Sequence, residues 1–267
     1  MTRPVRVLVP VGLGLNCEDE TARAFRMVGS EVDLVHLTDL FARRAPRRMT
    51  DYRVLAFVGG FSYGDHIASG FVLATRVRAH LREDLSAFLG QGGRVIGICN
   101  GFQTLVRLGL LPGPEEGPAD FVPRAALADN DRLGYRDAWV RLAVDPGARS
   151  VWTRGLQTLE VPARHGEGKF VVESEAALGR LEARGQVAFR YVDSAGRPTE
   201  SWPENPNGSA RGVAGVCDAT GRILGLMPHP DAFLYPWQHP DWPRRRAEME
   251  RAEPAGLALF RAGVEGA

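Results

Sequence analysis

The segment Gly97-Ile98-Cys99-Asn100-Gly101-Phe102-Gln103 decides how this chain folds. Arg94-Val95-Ile96 before it reads as a short buried strand. After it, Phe102, Leu105, Val106 and Gly109 recur at the three- and four-residue spacing of a helix face. Cys99 therefore stands at a strand-to-helix turn, with a glycine two residues to either side. That is the pattern of a nucleophile elbow, with cysteine in the place that hydrolases often give to serine. A turn this sharp strains the backbone, and a side chain at either flanking position would strike the neighbouring strand or helix. The helix N-terminus, with unpaired N–H groups, favours a thiolate there. The competing reading is a buried structural cysteine packed between two glycines.

Working back toward the start, residues 5–11 are apolar and β-branched and read as a first strand. Gly12 and Gly14 follow, without the third glycine of a dinucleotide-binding loop, and no Gly-Lys-Ser/Thr phosphate loop is present. Asn16 is placed to cap a helix whose first turn carries Glu18, Asp19 and Glu20. Ala22, Phe25, Met27 and Val28 give that helix a buried face, and Gly29 ends it. Cys17, with no base near it in sequence, reads as structural. Residues 31–37 form a second strand. Arg43, Arg44, Arg47 and Arg48 read as a solvated basic face. Residues 53–58 form a third strand ending in Gly59-Gly60-Phe61-Ser62-Tyr63-Gly64-Asp65, where paired glycines let backbone N–H groups face a ligand. A helix over 71–89 precedes the elbow. Strands alternating with helices predict a doubly wound parallel sheet, which binds ligands beyond the carboxyl ends of its strands. The Gly59-Gly60 loop and Cys99 both lie at such ends.

Beyond Pro112 the texture changes. Residues 121–127, 138–144 and 156–161 are strand-like without helices between them, which predicts an antiparallel insertion. Residues 164–168, Arg-His-Gly-Glu-Gly, read as a glycine-rich loop, 173–184 as a helix and 186–192 as a strand. Residues 203–209 are turn-rich. Residues 213–217 and 222–226 form a hairpin about Thr220-Gly221 that runs into Met227-Pro228-His229-Pro230-Asp231. With no repeat and no linker, residues 1–267 read as one α/β domain. Its core spans about 5–231, and 232–267 form a C-terminal extension.

Composition narrows the function. At 44% hydrophobic and 24% charged residues the chain is an ordinary globular one, and a formal net charge of +1 argues against binding nucleic acid through bulk charge. No apolar run approaches the ~20 residues that cross a bilayer. The N-terminus shows no secretory pattern, and three widely spaced cysteines suit the cytoplasm and offer no zinc motif, so no metal is expected. A cysteine nucleophile needs a base, usually histidine held by a carboxylate. His229 follows a strand end between two prolines, with Asp231 in reach. His66, His165 and His239 lie in loops as alternatives, and chemistry alone ranks His229 only slightly above His165.

Gly-Ile-Cys-Asn-Gly-Phe-Gln at 97–103 and Pro-His-Pro-Asp at 228–231 resemble the two signatures of class I, triad-type glutamine amidotransferases. Gly-Gly-Phe-Ser-Tyr-Gly-Asp at 59–65, His-Gly-Glu-Gly at 165–168 and Asn-Pro-Asn-Gly-Ser at 205–209 are similar, within that class, to glutaminase subunits of phosphoribosylformylglycinamidine synthases of purine biosynthesis. The resemblance implies a flavodoxin-like domain hydrolysing glutamine to glutamate and ammonia. It makes Cys99 the nucleophile, His229 the acid and base, and Asp231 its orienting group, where the family usually has glutamate. It assigns the oxyanion to the backbone N–H groups of Gly60 and Asn100. It places Gln103 and Phe61 against glutamine, and His165, Gly166 and Glu167 along the pocket or the partner interface. It implies no cofactor in this subunit, with ATP and magnesium in a synthetase partner and a small accessory subunit beside them.

Two alternatives remain at this level. Deglycase- and peptidase-like hydrolases on the same scaffold commonly carry histidine soon after the nucleophile, and here Asn100 stands next. A non-enzymatic subunit is the other, against which intact Cys99 and His229 argue. Residues 233–246 hold Phe233, Tyr235, Trp237 and Trp242, then three arginines, with prolines 236, 240 and 243 expected to prevent a regular helix. That segment is expected either to meet the synthetase or to fold its rings back onto this chain.

Overall fold

Each strand of the N-terminal half ends in a loop that reaches the same edge of one sheet. A computed structural model describes residues 3–267. In chain order come β1 (Arg6–Val11), α1 (Glu18–Met27), β2 (Glu31–His36), α2 (Leu37–Phe41), β3 (Val54–Phe57), α3 (Phe71–Gly90), β4 (Arg94–Ile98) and α4 (Asn100–Leu108). There follow β5 (Ala125–Asp129), β6 (Arg136–Val144), β7 (Thr158–His165), β8 (Glu167–Val172), α5 (Glu175–Ala183) and β9 (Val187–Tyr191). The chain continues through β10 (Val213–Cys217), β11 (Ile223–Leu226), α6 (Trp242–Met249) and α7 (Ala255–Val264).

The main sheet has nine strands in the order β2-β1-β3-β4-β11-β10-β9-β6-β7. Its first five are parallel, the flavodoxin-like arrangement. β3 and β4 are buried along their whole length, as parallel strands covered by helices on both faces must be. α3 turns Leu73, Ala74, Val77, Leu81, Leu85 and Phe88 inward at helical spacing. β11 lies directly beside β4, so the turn leaving β4 meets the loop leaving β11.

Local differences from the sequence reading have physical causes. α1 begins one residue later than expected, with Cys17 rather than Asn16 in the capping position. The Asn16 N–H instead donates to Gly59 O at 3.2 Å, drawing the chain into a bridge with the paired glycines. The antiparallel insertion expected beyond Pro112 is present and mostly continues the main sheet. β10, β9, β6 and β7 extend the parallel sheet, and only β5 and β8 pair apart from it. Residues 164–168 are not a loop. β7 continues to His165 in register with Arg136, and β8 starts at Glu167, leaving Gly166 as the turn.

The extension also departs from expectation. Of residues 233–246 only the end is α-helical: α6 starts at Trp242 because Pro243 stands in the first turn, where a missing N–H breaks no bond, and it is kinked at Arg245 (φ −110°, ψ 16°). α7 packs on the protein itself. Phe260 meets Phe25 edge-on at 4.9 Å, and Gly263 lies where a Cβ would fall 2.0 Å from the Trp152 ring. At its end Arg94 donates to the carbonyls of Gly263, Glu265 and Gly266 at 2.8, 2.8 and 2.7 Å.

Candidate active site

Cys99 has φ 52° and ψ −109°, a conformation that an L-residue adopts only when its surroundings enforce it. They do so closely. A Cβ on Gly101 would sit 2.0 Å from Phe57 O, and one on Gly97 2.7 Å from Gly101 O. The Cys99 N–H donates to Leu226 O at 2.9 Å, tying the elbow to β11. The thiol is nearly buried and lies 3.4 Å from Arg164 O.

β11 delivers His229 next to this elbow, and the His229 N–H donates to Pro162 O at 2.7 Å. Gly59 marks the point of convergence. A Cβ there would lie 2.8 Å from His229 Cε1, 3.1 Å from Cys17 Sγ and 3.5 Å from Cys99 Cβ. The His229 Nδ1 is 3.2 Å from Asp231 Oδ1, yet this approach is too far off line for an aligned hydrogen bond, and Oδ1 has no hydrogen-bond partner. The second oxygen of Asp231 accepts from Thr21 Oγ1 at 3.1 Å. Burial disfavours the imidazolium, but the negative charges of Asp231 and Cys99 beside it hold the His229 pKa well above its ordinary value. His229 Nε2 has no partner within the protein. A base in this state holds a proton ready to give to a leaving group.

Beside the elbow, the backbone prepares for negative charge. Phe61 N–H donates to Gly14 O at 2.8 Å, whereas the N–H groups of Gly60 and Asn100 reach no backbone carbonyl among the described residues. Gly60, at φ +133°, also lets the loop after β1 pass, since a Cβ would lie 2.7 Å from Asn16 N. These features border a cavity of about 210 Å³, lined by Cys99, His229, Gly60, Phe61, Gln103 and the 164–167 turn among others.

The remaining sequence candidates divide. His165 is buried, its Nδ1 3.1 Å from Asn130 Oδ1, while Asn130 Nδ2 donates to His165 O. Burial, then the charge of His229, lowers its pKa to about 3, so it stays neutral. Gln103 is expected against substrate, but both ends are engaged. Its Oε1 accepts from Asn100 Nδ2 at 3.1 Å and its Nε2 donates to Glu167 O at 2.7 Å. Glu167 accepts from the Ser69 N–H and hydroxyl. Gln103 thus fastens the elbow helix to the β7–β8 turn, and the Glu167 side chain ties that turn to the segment before α3. Phe61 stands half-exposed at the mouth, 6.3 Å from Tyr135, and Gly166 lines the wall. His66 and His239 lie outside the cavity; His239 packs on Trp139 at 4.5 Å.

Sequence reasoning missed Cys17, Thr21 and Tyr135. Cys17 reads as structural, yet it lies beside the imidazole, because His229 is near it in space and not in sequence. Thr21 carries no signal in the sequence, since its burial is a property of the fold. Tyr135 carries none.

The CobB/CobQ-like glutamine amidotransferase domain matches residues 4–265. A relative from Dehalococcoides mccartyi named phosphoribosylformylglycinamidine synthase subunit PurQ is 40% identical over 261 residues, 98% of this chain and 97% of its own. The chain belongs to the PurQ family of glutamine amidotransferases. A second PurQ, from Methanococcus maripaludis, is 40% identical over 247 residues, 92% of this chain and 89% of its own. A chain of the solved structure of PurLQS from Thermotoga maritima superposes with a TM-score of 0.71 at 25% identity, covering 98% of this chain and 99% of that one. The flavodoxin-like sheet with its antiparallel half is thus the PurQ fold. No described helix is long and apolar enough to cross a membrane.

Proposed function

We propose that this chain is the ammonia-producing subunit of a phosphoribosylformylglycinamidine synthase. Cys99, as the thiolate whose proton rests on His229, attacks the side-chain amide carbon of glutamine, and the N–H groups of Gly60 and Asn100 receive the oxyanion. Collapse breaks the C–N bond while His229 gives its proton to the departing ammonia, leaving a glutamyl thioester on Cys99. His229 then takes a proton from water, which attacks the thioester and releases glutamate, leaving the Cys99 thiolate beside protonated His229 as at the start. Asp231, positioned by Thr21, supports the charged imidazole throughout.

One observation carries this reading: the strained Cys99 and the His229 ring meet over Gly59 at the end of adjacent strands. The names of its PurQ relatives and of the PurLQS assembly support the wider setting. In that setting an ATP- and magnesium-dependent synthetase and a small accessory subunit assemble with this chain in the cytoplasm. The synthetase uses the ammonia to turn formylglycinamide ribonucleotide into formylglycinamidine ribonucleotide, and this subunit needs no cofactor. The test is Cys99→Ser in the assembled complex. Glutamine-dependent synthesis is expected to vanish and ammonium-dependent synthesis to persist. Loss of both in an intact complex overturns the division of labour.

A further inference from the structure

Cys17 is the feature the proposed reaction leaves unused. Its sulfur, one ring nitrogen of His229 and a carboxylate oxygen of Asp231 all lie within 4.8 Å of one another. His229 and Asp231 are 4% and 1% exposed, and His229 Nε2 and Asp231 Oδ1 are both buried without hydrogen-bond partners. Buried polar atoms left unsatisfied cost free energy, and two in one cluster point to a ligand that binds them. A thiol, an imidazole and a carboxylate are the donor set of a tetrahedral zinc site with a fourth position open. Cys17 and His229 line the cavity, so the open position faces solvent and gives the ion a way in.

We propose that Cys17, His229 and Asp231 form a zinc-binding site that switches this chain off. The three residues are far apart in sequence, which is why no zinc spacing announces them. Binding displaces the proton of Cys17 and one proton of the His229 imidazolium to solvent and places the lone pair of His229 Nε2 on the metal. The imidazole can then neither give a proton to ammonia nor take one from water, and Asp231 is drawn from its supporting place. The blocking of catalysis rests on the function proposed above; the binding does not.

The probes are zinc and cobalt(II) on the full-length chain. One zinc per chain is expected, and Cys17→Ser is expected to weaken it by at least ~10-fold, the lower bound for losing part of a metal's coordination environment. Cys99→Ser is expected to keep the affinity and, loaded with cobalt(II), to show thiolate-to-metal charge-transfer absorption in the near ultraviolet. That band must vanish in the Cys17→Ser/Cys99→Ser variant, which excludes Cys217 as its source. Unchanged zinc affinity in Cys17→Ser, or no band in Cys99→Ser, overturns the site, because the ion would then sit on Cys99 or nowhere. In wild type, zinc is expected to abolish glutaminase activity and a chelator to restore it; activity that persists with the band present overturns the switch.

Discussion

Replacing Gly101 by alanine tests whether the elbow's geometry, rather than the mere presence of Cys99, makes the site. The added Cβ would lie 2.0 Å from Phe57 O and 2.5 Å from Phe57 C, both backbone atoms that no rotamer change can move. Ordinary contact begins at about 3.4 Å, so the start of α4 and the end of β3 must part by about 1.4 Å. That displacement separates the Asn100 N–H from Gly60, three residues beyond Phe57. Overpacking of this kind costs ~1–3 kcal/mol, or a fall in Tm of roughly 2–12 °C for a chain of this size. A misplacement of ~1 Å at a reacting centre costs about 10²-fold in rate, so kcat/KM should fall about that far in the folded variant. Gly179→Ala is the control. Gly179 lies in the middle of α5, where a Cβ would meet nothing within 4 Å. It should gain about 1 kcal/mol from helix propensity and keep full activity. Thermal unfolding and steady-state glutaminase assays on both variants decide the matter. A Gly101→Ala protein with kcat/KM within about threefold of wild type would refute the reasoning.

His229→Ala should cost ~10²–10⁴-fold in glutaminase rate and Asp231→Asn markedly less, because the Asp231 contact lies off line; equal losses would make the carboxylate a full partner. His165 gives a pH signature. Its folded-state pKa of about 3 lies below the unfolded value of 6.5, so its contribution to stability is intact above pH 6.5 and is lost as pH falls toward 3. Urea unfolding should show that loss at on the order of 1 kcal/mol per pH unit, and His165→Gln should flatten it. His229 works in the opposite sense, its contribution full below pH 6.5 and lost as pH rises through the raised value. In the extension, Phe233 is 6% exposed and Trp237 is 62% exposed. Phe233→Ala should therefore destabilise by ~3–5 kcal/mol. Trp237→Ala should leave Tm nearly unchanged and weaken synthetase binding in a titration; the reverse pattern would assign the rings oppositely.

The elbow was legible in sequence because its requirements are local: two glycines, a strand before and a helix after. The parallel half of the sheet was legible for the same reason, its strands and helices alternating. His229 stood out through its two prolines, although only three-dimensional packing separates it from His165, whose burial and Asn130 contact no spacing rule encodes. The 164–168 turn looked like a loop because its glycines suggest flexibility. Pairing with β6 and the Asn130 N–H bond to Gly166 O, at 3.0 Å, make it part of the sheet. Cys17 and Gln103 have surroundings that no spacing rule encodes. One gained a partner, His229, from more than two hundred residues away, and the other has its polar atoms taken up by Asn100 and Glu167.

The anchoring of α7 has a mechanical consequence. β4 runs from Arg94 to Ile98 and carries the nucleophile at its far end. α7 runs from Gly256, whose Cβ position falls 2.0 Å from Pro230 O and 2.4 Å from Phe233 O, down to the carbonyls held by Arg94. At about 1.5 Å per residue the helix measures roughly 15 Å, and at about 3.3 Å per residue the five-residue strand measures much the same. Strand and helix therefore act as two struts of equal length, pinned together at the rear by one guanidinium. One strut ends at the thiol and the other braces the loop that bears the imidazole. The gap between thiol and imidazole is thus set by a closed frame.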